Sequence, residues 1–189
     1  NSERKRASQE RINEAISEAQ SVEGGAQKKI AALQQVLSQY ELEGSVRRKV
    51  LKEIATAERQ LEAEREQRRQ AEEDALFGEN LKKSVEIAAR EGVTLAFETM
   101  ETEFINTVKK ARSWVDLLSS PYLQIYPDLG NITNSAKLYK SDVLDDLKSG
   151  AGHISAMHLK ETVPGVYREV PYGTGHVNFN KAIPLAMKM

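Results

Sequence analysis

Three short β-rich runs, Val93–Phe97, Tyr122–Tyr126 and His153–Leu159, begin about thirty residues apart, and a helical pattern separates each pair. No other feature of the chain restricts its fold so strongly. Leu81, Val85, Ala88 and Ala89 recur at helical spacing up to Gly92, and Phe104, Ile105, Val108, Ala111, Trp114, Val115 and Leu118 make a second amphipathic stripe. Ser141 is placed to cap a third helix through Val143, Leu144 and Leu147, which Gly150 and Gly152 end. Strand, helix and strand in alternation are βαβ units, so the sheet is parallel and its crossovers right-handed. The fold class is α/β. The expected strands, 93–98, 122–127 and 153–159, lie side by side in that order.

Each run closes on a side chain able to bind a cation or move a proton: Glu98, Asp128 and His158, at successive intervals of thirty residues. Parallel sheets in α/β folds carry their chemistry at the carboxyl ends of the strands, so the three side chains are expected to converge. Two carboxylates and one imidazole suit a borderline divalent ion such as Zn, Mn, Co or Fe, with positions left open for a substrate. Taken singly, each residue has an ordinary explanation. Glu98 can cap a following helix, Asp128 can form an Asx turn ahead of Leu129-Gly130-Asn131, and His158 can be a satisfied core histidine. Three equivalent positions on three successive strands favour the shared site.

The chain changes character near residues 75–78. Up to Ala75 it holds 14 basic and 15 acidic residues, no proline and one aromatic residue, Tyr40, while all five prolines lie beyond. Its apolar residues form short a/d seams: Ile12, Ile16 and Ala19; then Ala26, Ile30, Leu33, Leu37 and Tyr40; then Val50, Ile54, Ala57 and Leu61. Bends are expected at Gly24-Gly25 and at Gly44, with Ser45 as the next N-cap. Residues 1–75 read as a charged, coiled-coil-like helical region, either a partner surface or a spacer, and 76–189 as the α/β domain. A formal net charge of −1 provides no global positive field, so nucleic acid is not an expected partner. With no cysteine, thiolate chemistry and Cys-based metal sites are excluded, and a cytoplasmic setting is expected. No apolar run is long enough to span a membrane, and the start at Asn1 rather than Met leads to the expectation that sequence precedes it.

Several stretches carry a resemblance. Asn80-Leu81-Lys82-Lys83-Ser84-Val85-Glu86, Val93–Met100, Tyr126–Asn131, Gly152-His153-Ile154, His158–Thr162 and Val170–Gly175 resemble the C-terminal part of the L-ribulose-5-phosphate (L-xylulose-5-phosphate) 3-epimerases of L-ascorbate utilisation, which are sugar isomerase/epimerase barrels. The resembling segment runs from about Phe77 to Met189. It implies a (β/α)8 barrel holding a divalent metal (Zn, Mn or Co) and inverting C3 of a ketopentose 5-phosphate through an enediolate. Glu98, Asp128 and His158 match the first three metal ligands of the family, and Glu98 also matches its catalytic carboxylate. Lys160 and Arg168 lie in segments that face the sugar phosphate. The Gly173-Thr174-Gly175 turn is either a ligand approach or an ordinary loop.

A complete barrel of this kind takes about 250 residues, more than residues 76–189 provide, so a partial TIM-barrel-like sheet is expected. The first strands and the strand carrying the family's last ligand Glu have no counterpart, and no Glu follows Glu169. An open sheet edge invites a second copy of the chain or a complementing fragment. The alternative function is a non-catalytic helical oligomerisation or scaffold protein carrying an inert barrel fragment. For the chain by itself, proton exchange at C3 without inversion is the expected limit, unless Glu161 or Glu169 supplies the second acid/base group.

Overall fold

The computed structural model describes residues 2–189. The chain divides into two compact units, residues 1–75 and 76–189. In the first, α1 (Ser2–Gln20), α2 (Gly25–Gln39) and the start of α3 (Gly44–Glu91) follow one another, with bends where the glycines fall. α3 begins at Gly44, one residue ahead of the expected cap Ser45. Ala19, Leu33, Val36, Val50 and Ile54 are buried together, and Ile16, Ile30, Leu37 and Tyr40 pack against them. The seams are therefore covered by one another inside this unit. Past Ala57 no residue of α3 is buried until Val85, and exposed pairs such as Arg69–Glu66 (2.6 Å) and Arg69–Glu73 (3.6 Å) line its surface.

The second unit contains the end of α3, β1 (Leu95–Glu98), α4 (Val108–Leu118), β2 (Leu123–Tyr126), α5 (Leu129–Tyr139), α6 (Val143–Lys148) and α7 (Phe179–Ala186). β1 and β2 are parallel, with Leu95 opposite Leu123 and Glu98 opposite Tyr126. Leu123, Ile125, Val108, Ala111, Val115, Leu129, Ile132 and Leu147 form the core, so the sheet buries one face against the helices. Phe77, Phe104 and Trp114 add edge-to-face contacts, with Phe77 centroids 4.8 Å from Phe104 and 4.9 Å from Trp114. No described helix is long and apolar enough to cross a membrane.

Four expectations need correction. The third strand is reduced to two parallel bridges, Ile125↔Ile154 and Asp128↔His158. Between them β2 advances three residues and the partner segment four, so one residue is extra, as in a bulge, and Pro127 has no N–H to give to the ladder. Next, α4 starts at Val108 rather than Phe104, because the Thr107 side chain accepts from Lys110 N and caps it there. Asp142, not Ser141, caps α6, accepting from Leu144 N and Asp145 N. Finally, α5 was not anticipated. Its sequence, LGNITNSAKLY, is rich in poor helix formers, and the helix is secured by the Asp128 cap and by burial of every residue from Leu129 to Ala136.

Candidate active site

Glu98, Asp128 and His158 are brought together. One donor atom from each lies within 4.8 Å of the other two. His158 Nδ1 is 3.0 Å from Glu98 Oε1 and 3.3 Å from Asp128 Oδ2. Glu98 and His158 remain accessible, at 40% and 49% side-chain exposure, while Asp128 is fully buried. The cluster thus has a buried carboxyl group at its base and an open mouth.

Local folding explains the placement of each group. Glu98 is the last residue of β1. Asp128 is the N-cap of α5: its Oδ1 accepts from Asn131 N at 2.8 Å, which fixes the rotamer and leaves Oδ2 directed into the cluster. His158 is carried by the segment hydrogen-bonded to the end of β2, its N–H donating to Pro127 O at 2.8 Å and its carbonyl accepting from Leu129 N at 3.0 Å. The Tyr126 ring lies stacked beside the imidazole, with centroids 6.1 Å apart.

Asp128 Oδ2 is buried and accepts no directed hydrogen bond, although His158 Nδ1 (3.3 Å) and Lys160 Nζ (3.1 Å) are both within ion-pair distance. A buried carboxylate oxygen with an ammonium and an imidazole nearby but no aligned donor fits a cation ligand. The donor set of two carboxylate oxygens and one imidazole nitrogen likewise fits a borderline divalent metal.

Two residues that sequence reasoning missed hold the cluster in register. Thr99 Oγ1 accepts from Asp128 N at 2.9 Å, and Asn131 Nδ2 donates to Thr99 O at 2.7 Å, so both tie the end of β1 to the end of β2. Asn131 Oδ1 also accepts from Lys160 Nζ at 2.7 Å. The Asp-x-x-Asn spacing was the available signal, since i and i+3 share a helical turn. Lys160 lies at the cluster. Arg168 does not join it in this state: its guanidinium pairs with Glu101 Oε1 at 2.9 Å and its side chain is 74% exposed.

Glu161 has a different role from the one sequence reasoning left open. Its Oε1 accepts from Thr162 N (3.1 Å) and Val177 N (3.0 Å), and its Oε2 accepts from Gly173 N (3.0 Å). Burial pushes its carboxyl up, but the backbone donors of Val177, Gly173, Thr162 and Gly175 outweigh that and hold it below the ordinary glutamate range. It is a permanent anchor for the 172–177 loop. Gly175 is required there because a Cβ would stand 2.4 Å from Glu161 Oε1 and 2.1 Å from Thr162 O. The Gly173-Thr174-Gly175 turn therefore serves this carboxylate. Glu169 is exposed, at φ 60°.

Residues 54–185 match the model of the Xylose isomerase-like TIM barrel family. L-ribulose-5-phosphate 3-epimerases UlaE from Escherichia coli, Shigella boydii and Escherichia fergusonii are each 43% identical over 105 residues, covering 56% of this chain and 36% of the relative. The chain spans about a third of the length of these curated relatives. A 3-keto-D-glucoside 4-epimerase, YcjR, from E. coli in its apo form superposes with a TM-score of 0.47 at 16% identity, over 59% of this chain and 40% of that one. With its family match over most of its length and its parallel β/α core, the chain belongs to the Xylose isomerase-like TIM barrel family.

Proposed function

We propose that this chain carries part of the active site of a metal-dependent 3-epimerase acting on a ketopentose 5-phosphate, L-ribulose 5-phosphate or L-xylulose 5-phosphate. The observation that carries the reading is the convergence of Glu98, Asp128 and His158 around a buried carboxylate oxygen with no aligned donor. These three residues would hold a divalent cation (Zn, Mn or Co), which when bound supplies Lewis acidity to the ketose C2 carbonyl and the neighbouring hydroxyl. Glu98, exposed at the mouth, takes the proton from C3, which is acidified by the adjacent carbonyl. Asp128 sits at the base, and the Thr99 and Asn131 hydrogen bonds keep it aligned. Lys160 and Arg168 supply positive charge to the sugar phosphate, Arg168 by leaving Glu101. The 43% identity to proteins named as L-ribulose-5-phosphate 3-epimerases supports the substrate class.

Inversion at C3 needs a proton donor on the opposite face of the sugar. Glu161 is committed to backbone amides, so it does not serve. Among the described residues, no other strand pairs with the outer edge of β1, and Val93 and Met100 beside it are exposed. That edge is proposed to receive a further strand, from a second copy of the chain or from a complementing barrel fragment. The absence of cysteine fits a cytoplasmic setting for such a protein. The cluster favours this reading over an inert scaffold, for which gathering Glu98 and His158 around a buried carboxylate would serve no purpose.

The test is solvent-deuterium exchange at C3 of L-xylulose 5-phosphate in the presence of manganese. Exchange by the parent chain that Glu98→Gln abolishes is the expected result, with inversion appearing when the remaining barrel sequence of a relative is supplied. Exchange that Glu98→Gln leaves unchanged would overturn the assignment.

A further inference from the structure

A groove of about 460 Å³ runs between α5, α6 and α7 and shares no residue with the cluster. Lys137 and Lys140 from the end of α5 and Lys181 from the first turn of α7 line it, together with His176. None of the three lysines has a carboxylate partner among the described ion pairs. The single acidic residue in the lining, Asp142, is occupied as the α6 cap. Leu129, Val177 and Ala182 give the groove an apolar floor. With three lysines against the one carboxylate, it is a net cationic, partly apolar cleft.

His176 adds a polar requirement that the fold does not meet. Its Nε2 is 3.0 Å from Thr162 Oγ1, and that hydroxyl lies 3.2 Å from Gly130 O. A carbonyl can only accept, so the one hydroxyl proton goes to Gly130 O and the imidazole N–H sits on Nε2. Burial first, and the nearby Lys137 charge second, hold the imidazole below its ordinary pKa, so it is neutral near pH 7. Nδ1 is then a bare acceptor, buried and without a partner. That atom is closed to solvent, so His176 meets the groove through the rest of its ring, and the lysines call for an anion.

We propose that this groove is a binding site for a small phosphate ester, with the phosphate on Lys137, Lys140 and Lys181 and the carbon chain on the apolar floor. The site is separate from the cluster, so it does not depend on the epimerase reading.

Calorimetric titration with glycerol 3-phosphate tests it, with inorganic phosphate and glycerol as comparison probes at matched ionic strength. Glycerol 3-phosphate should bind saturably and several-fold more tightly than inorganic phosphate, and it should shift the His176 ring resonances. Lys137→Ala/Lys181→Ala should weaken binding about tenfold, since each exposed charge contact contributes up to about 1 kcal/mol. Both lysines are exposed, so the fold should survive their replacement. Asp128→Asn should leave this binding unchanged. Equal binding by the double lysine variant, equal affinity for inorganic phosphate, or loss on Asp128→Asn would each overturn the proposal.

Discussion

Replacing Glu161 by glutamine should destabilise the barrel unit strongly while leaving cation binding at the cluster intact. The carboxylate accepts three backbone hydrogen bonds at 3.0–3.1 Å and is 3% exposed. In the less costly rotamer the glutamine oxygen keeps Thr162 N and Val177 N, and its NH₂ faces Gly173 N–H, donor against donor. Loss of charge assistance costs about 1 kcal/mol across the two remaining bonds, and the orphaned N–H adds about 2 kcal/mol. The expected loss is about 3 kcal/mol, or about 10 °C in Tm for a unit of this size. Trp114, the one tryptophan, belongs to that core, so its fluorescence during urea unfolding reads the change directly. The pH dependence has a fixed sign. Because the folded carboxyl titrates below its unfolded value, its contribution is complete above about pH 4.3 and is lost as the pH falls through the folded value. Glu161→Gln should therefore flatten the acid limb of the stability curve. A variant within 0.5 kcal/mol of the parent, a resolution typical of ordinary surface changes, would refute the anchoring role.

Asp128→Asn should keep the fold, since asparagine caps helices as well as aspartate, yet weaken zinc or manganese binding at least tenfold by calorimetry. Gly130→Ala puts a Cβ 2.6 Å from Thr162 Cγ2 and 2.9 Å from Lys160 O; a loss of about 1–3 kcal/mol, with weaker metal binding as the His158 segment shifts, is expected from unfolding and titration together. Leu33→Ala, at a fully buried position in the helical unit, should cost about 2–5 kcal/mol in the helical circular-dichroism transition. Arg168→Ala should leave stability within about 0.5 kcal/mol, its ion pair being exposed, while raising the sugar-phosphate concentration needed for half-maximal exchange.

Periodicity made β1, β2 and their parallel pairing legible, because Leu95/Phe97 and Leu123/Ile125 alternate with less buried neighbours. It also located the site, since βαβ units place strand ends together whatever their side chains. What periodicity hid was decided by single polar atoms. Thr107 and Asp142 set helix starts through one or two hydrogen bonds, and α5 exists because Asp128 caps it over a buried face. The same carboxylate that a turn explanation accounts for is half cap and half candidate ligand: Oδ1 closes the helix and Oδ2 faces the cluster.

Equal thirty-residue spacing does not put the three residues at equal heights on the sheet. Asp128 stands opposite His158, but Glu98 stands opposite Tyr126, two residues short of Asp128 and so about 6.6 Å lower along the strand direction. Convergence at His158 Nδ1 therefore depends on side-chain length. The longer glutamate spans the offset to reach 3.0 Å, whereas an aspartate at 98 would fall short by one methylene. Asp128, already level with the imidazole, is pinned by its cap and has no slack to compensate. The cluster thus requires the residue order found here, with the long carboxylate at the exposed mouth, where a substrate could reach it. The short carboxylate belongs at the buried base, where its cap to Asn131 N holds it in place.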